Sequence, residues 1–189
     1  MPGWEVMGAE EKQAVCALFE GDPRSALINK AKIREFESAF AASLGKTEAV
    51  AVSSGTAALT VALKTLNLRP GDEVITQAHT FVATVEAILE AGGRPVMAEI
   101  DESLNMDPRS LRLCITPRTK VILPVHMLGA ACNMTEIMAL AHKARIPVIE
   151  DNAQSNHGTY HGWKLGTLGD FGCFSFSYSK IMTTGEGGM

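Results

Sequence analysis

The sequence predicts an α/β fold with a mostly parallel sheet covered by helices on both faces, and three observations carry that prediction. Short, nearly all-apolar runs such as KVILPV (120–125) and IPVIE (146–150) recur along the chain. Runs of that length and composition are expected of strands buried on both faces. Segments of helical period separate them, and turn clusters punctuate the alternation, as at Arg69-Pro70-Gly71-Asp72 and Asp107-Pro108. Strands that alternate with helices pair in parallel through those helices.

Taken in order, residues 8–19 (GAEEKQAVCALF) have helical periodicity, and Asp22-Pro23 ends them. A second amphipathic helix over 31–44 sets Ile33, Phe36, Phe40 and Leu44 on one face, with Gly45 as its cap. The β-type run Ala49-Val50-Ala51-Val52 leads through Ser53-Ser54-Gly55-Thr56 into a helix from Ala57 to about Leu66. The turn at 69–72 opens a strand at 73–76, followed by a helix over 82–91 and a strand over 95–100. A helix begins after Asp107-Pro108, then come a strand at 120–125, a helix at 134–144 and a strand at 146–150. Further on, Phe171, Cys173 and Tyr178 bracket a strand whose other face carries Phe174 and Phe176. No internal repeat, linker or low-complexity tract interrupts this order.

Composition excludes several classes of function. With 189 residues, 46% hydrophobic and 20% charged, the chain reads as one ordinary soluble domain. A net charge of −4 gives no electrostatic case for nucleic acid or an anionic membrane. Cys16, Cys114, Cys132 and Cys173 form no CxxC pair and no His/Cys ligand spacing, so reduced thiols and no metal site are expected. Neither a signal peptide nor a membrane-spanning run of roughly 18 apolar residues is present, and a cytoplasmic location is the default expectation. The final segment, Thr183-Thr184-Gly185-Glu186-Gly187-Gly188-Met189, is a glycine-rich turn feeding an apolar residue, which reads as the front part of a longer protein.

Ligands in parallel sheets bind at the carboxyl ends of the strands, which directs attention to 53–56, 77–81, 126–130 and 151–154. Ser53-Ser54-Gly55-Thr56 offers hydroxyls and free N–H groups at a helix start, either as an anion cradle or simply as an N-cap. Asp151 ends an apolar strand, where a carboxylate is costly unless paired; its partner is a cation such as a protonated heterocyclic nitrogen, or else it is a cap or loop ion pair. Lys180 follows the aromatic run 171–178. Burial there would disfavour its ammonium form and favour a nucleophilic amine, the alternative being a surface lysine. His79, His126, His142, His157 and His161 show no ligand spacing, and His126, at a strand end, reads as a satisfied hydrogen-bonding residue. GTLGDFG (166–172) superficially looks like a dinucleotide loop but does not sit between an early strand and a helix.

The ordered segments GWEVMGAEEKQAV (3–15), REFESAFAASLG (34–45), AVAVSSGTAAL (49–59), LRPGDEVIT (68–76), TFVATVEAILEAGGRPVMAEID (80–101), VHMLGAACNM (125–134), IEDNAQSNHGTYHGWKLGTLGDFGCFSFSYSK (149–180) and TTGEGGM (183–189) together resemble the DegT/DnrJ/EryC1/StrS aminotransferases. These are pyridoxal 5'-phosphate (PLP) proteins of fold type I. The resemblance implies that Lys180 bonds PLP covalently and that Asp151 pairs with its ring nitrogen. It further implies that Gln154 contacts the 3-hydroxyl, Phe81 stacks on the ring, and Gly55, Thr56 and Ser175 hold the phosphate. Ser177 and Ser179 are expected to pack around the site. Asn152 and Asn156 stand where relatives more often have small residues.

The resemblance also implies the reaction and the domain plan. An amino group would pass from glutamate or glutamine to a nucleotide-linked keto-sugar, in the making of polysaccharide, lipopolysaccharide or antibiotic sugars. Related dehydratases carry histidine in place of the lysine, so Lys180 speaks for transamination. A non-catalytic binding or regulatory protein on the same fold, or another fold-type I enzyme such as a lyase, are the alternatives. Residues 1–30 form an N-terminal helical segment and 31–189 part of the PLP-binding large domain. The rest of that domain, a small C-terminal domain and a partner subunit in a homodimer would complete the site, and these 189 residues alone are expected to be inactive.

Overall fold

The computed structural model describes residues 3–20, 24 and 29–189. The stop expected at Asp22-Pro23 lies outside the described residues. Strand β1 (Glu73–Gln77) is buried at every position, as a central strand should be. It pairs in parallel with β2 (Arg94–Ala98) on one side and β3 (Thr119–Ile122) on the other. Parallel bridges from Ile122 to Val148 and from Val125 to Asp151 lay β4 (Ile149–Asp151) beside β3. A short antiparallel hairpin follows, β5 (Thr159–Tyr160) with β6 (Trp163–Lys164), before β7 (Phe171–Cys173) runs parallel to β4. The sheet order is therefore β2-β1-β3-β4-β7, all parallel, as the alternation of strand and helix predicts.

Beyond Cys173 the direction reverses. Phe174 and Met189 exchange backbone hydrogen bonds of 2.9 and 3.1 Å, and Phe176 N–H donates to Gly187 at 2.9 Å. Gly188 in turn exchanges bonds of 2.9 and 3.0 Å with Val52. The segment 187–189 thus lies between 174–176 and Val52. The strand expected over 49–52 is reduced to that one bridge, for a local reason. The Ala51 N–H donates to the Glu37 carboxylate at 2.8 Å rather than to a strand neighbour, and Val50 faces solvent.

Helix α1 (Ala9–Ala17) buries none of its residues. Helix α2 (Lys30–Ser43) starts at Asn29, whose side chain caps Lys32 N–H, and buries Phe40. Its inner face begins at Phe36; Ile33, expected on that face, is exposed. Next come α3 (Gly55–Thr65), α4 (Val82–Glu90), α5 (Pro108–Cys114) and α6 (Met134–Ala144). Alternation along the strands sends Val74, Val121, Leu123 and Ile149 to one face, against Leu59, Leu63 and Ile88 of α3 and α4. Ile75, Ile122 and Val148 go to the other face, against Leu111 and Ile137 of α5 and α6. A third cluster sits at the sheet edge, where Phe40 meets Phe174 and Phe176 with ring centroids 4.9 and 5.3 Å apart. Among the described residues no helix is long and apolar enough to cross a membrane.

Candidate active site

The carboxyl ends of the strands and the start of α3 enclose a cavity of about 460 Å³. Gly55, Thr56, Phe81, Asp151, Gln154, Ser175 and Lys180, which come from four separate stretches of sequence, all line it. Ser177 and Ser179 line it too. Asn152 does not; it is fully buried and donates to the Glu150 carbonyl at 3.0 Å.

One end of the cavity is formed by the start of α3. The Ser54 hydroxyl accepts from Ala57 N–H at 3.1 Å and its carbonyl accepts from Ala58 N–H at 3.0 Å. That leaves the Gly55 and Thr56 N–H groups, at the positive end of α3, without intrahelical acceptors. The same turn thus caps the helix and leaves two N–H groups facing the cavity. Gly55 also explains how Ser175 enters the cradle. A Cβ on Gly55 would stand 2.7 Å from the Ser175 Cβ, so only glycine lets the helix start come this close.

Asp151 is 4% exposed, and its carboxylate makes two hydrogen bonds. Oδ1 accepts from Ala153 N–H at 3.0 Å and Oδ2 from the Thr84 hydroxyl at 2.9 Å. Burial pushes its carboxyl above the usual range, opposed by those two bonds and by the charge of Lys180. A buried carboxylate with spare acceptor capacity is suited to a cation inside the cavity.

Gln154 is oriented by its backbone neighbour: its Oε1 accepts from Leu128 N–H at 3.0 Å. Leu128 takes a left-handed φ of 54° to make that contact. With the oxygen so engaged, the Gln154 amide presents its NH₂ as the free, donating end. Phe81 is 64% exposed at the start of α4, a ring wall with an open face.

Lys180 is half-buried, and its backbone is held on both sides. Its N–H donates to Ser177 at 2.9 Å and its carbonyl accepts from Gly3 N–H at 2.7 Å. The aromatic burial expected to press on it lies elsewhere: Phe174 and Phe176 point into the Phe40 cluster, and the intervening Ser175 and Ser177 line the cavity.

Two buried residues beside the site went unread in the sequence. Thr84, on the inner face of α4, reaches Asp151. Glu150 lies wholly buried next to Asp151. Its Oε1 accepts from Leu168 and Gly169 N–H at 2.8 and 2.7 Å, and its Oε2 from Gly166 N–H at 2.9 Å. His126 Nδ1 accepts from Cys132 N–H at 3.1 Å, so its Nε2–H donates to Glu150 Oε2 at 3.1 Å. His126 is satisfied as expected, and the 166–172 loop is wrapped on a carboxylate rather than shaped for a dinucleotide.

This donor set fits PLP. The Gly55–Thr56–Ser175 cradle suits a phosphate, Phe81 a ring face, Asp151 a protonated ring nitrogen, the Gln154 NH₂ a phenolic oxygen and Lys180 an aldehyde.

Fold and cavity together define the large-domain architecture of fold-type I PLP proteins. Within that class the chain belongs to the DegT/DnrJ/EryC1/StrS aminotransferase family, whose profile matches residues 6–189. It is 45% identical over 186 residues to the spore coat polysaccharide biosynthesis protein SpsC of Bacillus subtilis, covering 97% of this chain and 47% of that protein. It is 45% identical over 158 residues to the GDP-perosamine synthase of Caulobacter vibrioides, covering 83% and 43% of the two. The PLP form of Spr1654 of Streptococcus pneumoniae, which carries the name of a sugar aminotransferase, superposes with a TM-score of 0.88 at 31% identity. That match covers 99% of this chain and 50% of the other. The chain spans about half the length of the relatives it matches.

Proposed function

We propose that these residues are the cofactor-binding part of a PLP-dependent aminotransferase that moves an amino group from glutamate or glutamine to a keto-sugar, nucleotide-linked, in polysaccharide, lipopolysaccharide or antibiotic-sugar synthesis. The observation that carries the reading is the meeting of Lys180 and buried Asp151 in one cavity with an anion cradle at its end. Sugar names among the relatives support the acceptor class. The rest of the protein and a second subunit in a cytoplasmic homodimer complete the site in this reading.

Bound PLP supplies an electron sink for charge that develops at a substrate carbon. Asp151 would hold a proton at the ring nitrogen. The Gln154 amide would donate to the phenolic oxygen, and Phe81 would offer the ring an apolar wall. Gly55, Thr56 and Ser175 would hold the phosphate. The Lys180 amine would bond the cofactor's aldehyde and, when free, would be placed to act as the base that takes a proton from the donor's α-carbon. A histidine at this position could move a proton but could not bond the cofactor as an amine does, so Lys180 supports transfer over dehydration. A purely binding protein or a lyase on this fold would leave transfer from glutamate undetected.

The test uses the full-length protein loaded with PLP. Borohydride is expected to fix the cofactor on Lys180, located by peptide mass mapping. Lys180→Ala should lower transfer from glutamate by at least about a thousandfold, the scale of a lost covalent and proton-moving group. Undiminished transfer in that variant would sink the mechanism.

A further inference from the structure

The family reading gives no task to the hydroxyl of Thr84, which lines the cavity, or to that of Thr80 beside it. Thr84 is 1% exposed on the inner face of α4, beside the buried Ala87 and Ile88. Such a threonine usually turns its hydroxyl back to a carbonyl of its own helix. Thr84 instead donates across to Asp151 Oδ2 at 2.9 Å. A hydroxyl has one proton, and once it is given to Asp151 the Thr84 oxygen can only accept. The Thr80 hydroxyl stands 2.8 Å away and supplies that bond, its contact with the Phe81 carbonyl being longer at 3.4 Å. The chain of donors therefore runs Thr80 to Thr84 to Asp151.

We propose that Thr84 is a positioning residue for Asp151, with Thr80 fixing the direction of its proton. One bond to each oxygen, from Thr84 and from Ala153 N–H, locks the carboxylate plane and leaves acceptor capacity on both oxygens. Phe81 lies between the two threonines in sequence, at the same helix start. A single turn therefore registers the ring wall and the carboxylate to each other. Lys180 is the cation acting on Asp151 besides these bonds, the titratable His126 ring lies nearby, and Glu150 is its neighbour on the strand. Thr84 acts alongside them by favouring the ionised form in a place where burial opposes it. The functional meaning of this arrangement rests on the PLP reading, but the action of Thr84 on Asp151 does not require the cofactor.

The experiment follows the Asp151 carboxyl by carbon-13 NMR in the full-length apo-protein labelled at aspartate side chains, the signal being assigned with Asp151→Asn. Thr84→Val keeps the shape and removes the donor. It is expected to move the Asp151 titration midpoint up by about one pH unit, the size of one hydrogen bond to a charged group. PLP retention measured by equilibrium dialysis should weaken about tenfold in the same variant. Thr84→Ser should restore both, and Thr80→Val should move both the same way by less. An unmoved midpoint in Thr84→Val, or no rescue by serine, overturns the proposal. If Thr84→Val does not fold, an unmoved midpoint in Thr80→Val overturns it and an upward shift supports it. A shifted midpoint in a protein that binds no PLP in any form leaves Thr84 as the positioning residue and removes the PLP reading instead.

Discussion

Glu150 and Asp151 are consecutive buried carboxylates on one strand, and their partners separate their roles. Glu150 accepts three backbone N–H groups of the 166–169 loop and one bond from the His126 ring, which together commit its oxygen capacity to structure. Asp151 accepts two bonds and faces the cavity. The consequence for stability has a definite sign. Burial raises the Asp151 carboxyl above the ordinary 3.8, so the folded apo-protein holds its proton to higher pH than the unfolded chain. Below the ordinary value both states are protonated and Asp151 costs nothing. As pH rises above it the unfolded chain ionises first, and stability is lost until the folded carboxyl ionises too. Asp151→Asn should therefore raise the melting temperature of the apo-protein at neutral pH by a few degrees and leave it unchanged in acid. The same variant should lose PLP retention, so calorimetry and dialysis would move in opposite directions. A lower melting temperature at neutral pH would mean that Asp151 is a structural carboxylate like its neighbour. Asp151 could be picked from the sequence because it ends an apolar strand where ligands bind. The task of Glu150 could not, since its donors arrive from residues 166–169 and only folding brings them together. Thr84 was equally hidden, as a threonine among apolar helix residues carries no local sign of what it faces.

At the level of elements, the strand–helix alternation was legible because burial on both faces leaves an unbroken apolar run. What periodicity could not give was where pairing stops. The run at 120–125 contains Pro124, and the ladder with β1 ends at Ile122; beyond it Val125 pairs with Asp151 instead. The hairpin of Thr159–Tyr160 and Trp163–Lys164 was missed although a signal existed. His161 and Gly162 both take positive φ, 49° and 84°, as a two-residue hairpin turn requires, and an x-Gly pair between Tyr160 and Trp163 is its sequence mark. The Ser53–Thr56 turn held two readings open: Ser54 caps α3, and Gly55 and Thr56 keep free N–H groups at the cavity, which leaves the anion-cradle reading available beside the cap. Gly55→Ala tests whether that helix start is an anion site. Its Cβ would press on Ser175 and force the two apart, at a cost of about 1–3 kcal/mol in denaturant unfolding. Because the cradle opens, affinity for inorganic phosphate and for PLP should fall together, as measured by titration calorimetry. Equal loss of stability with unchanged phosphate binding would leave α3 with a capping role alone.

Across the whole molecule, the site depends on how the sheet is closed at its far edge. Segment 187–189 inserts antiparallel between 174–176 and Val52, joining residues that are distant in sequence at the edge of the parallel sheet. Gly188 sits at the centre of that insertion. Its two bonds to Val52 hold the edge, and its backbone lies against Ser54 and Gly55, so that an added Cβ would run into the Ser54 carbonyl and stand 2.8 Å from the Gly55 nitrogen. One glycine therefore both pairs with Val52 and packs against the start of α3. Gly188→Ala should cost about 1–3 kcal/mol of stability through backbone displacement, which no rotamer change can relieve. It should weaken PLP retention as well, because the displaced atom is a cradle nitrogen. Gly8→Ala is the matching control, since a Cβ there would meet only the Glu11 carboxylate at 4.0 Å; it should stay within about 0.5 kcal/mol of the parent. The pattern distinguishes scales: Thr84→Val should alter cofactor retention with little change in unfolding, whereas Gly188→Ala should lower both in step. If Gly188→Ala unfolds like Gly8→Ala, the edge insertion does not support the site, and the cradle is set by α3 alone.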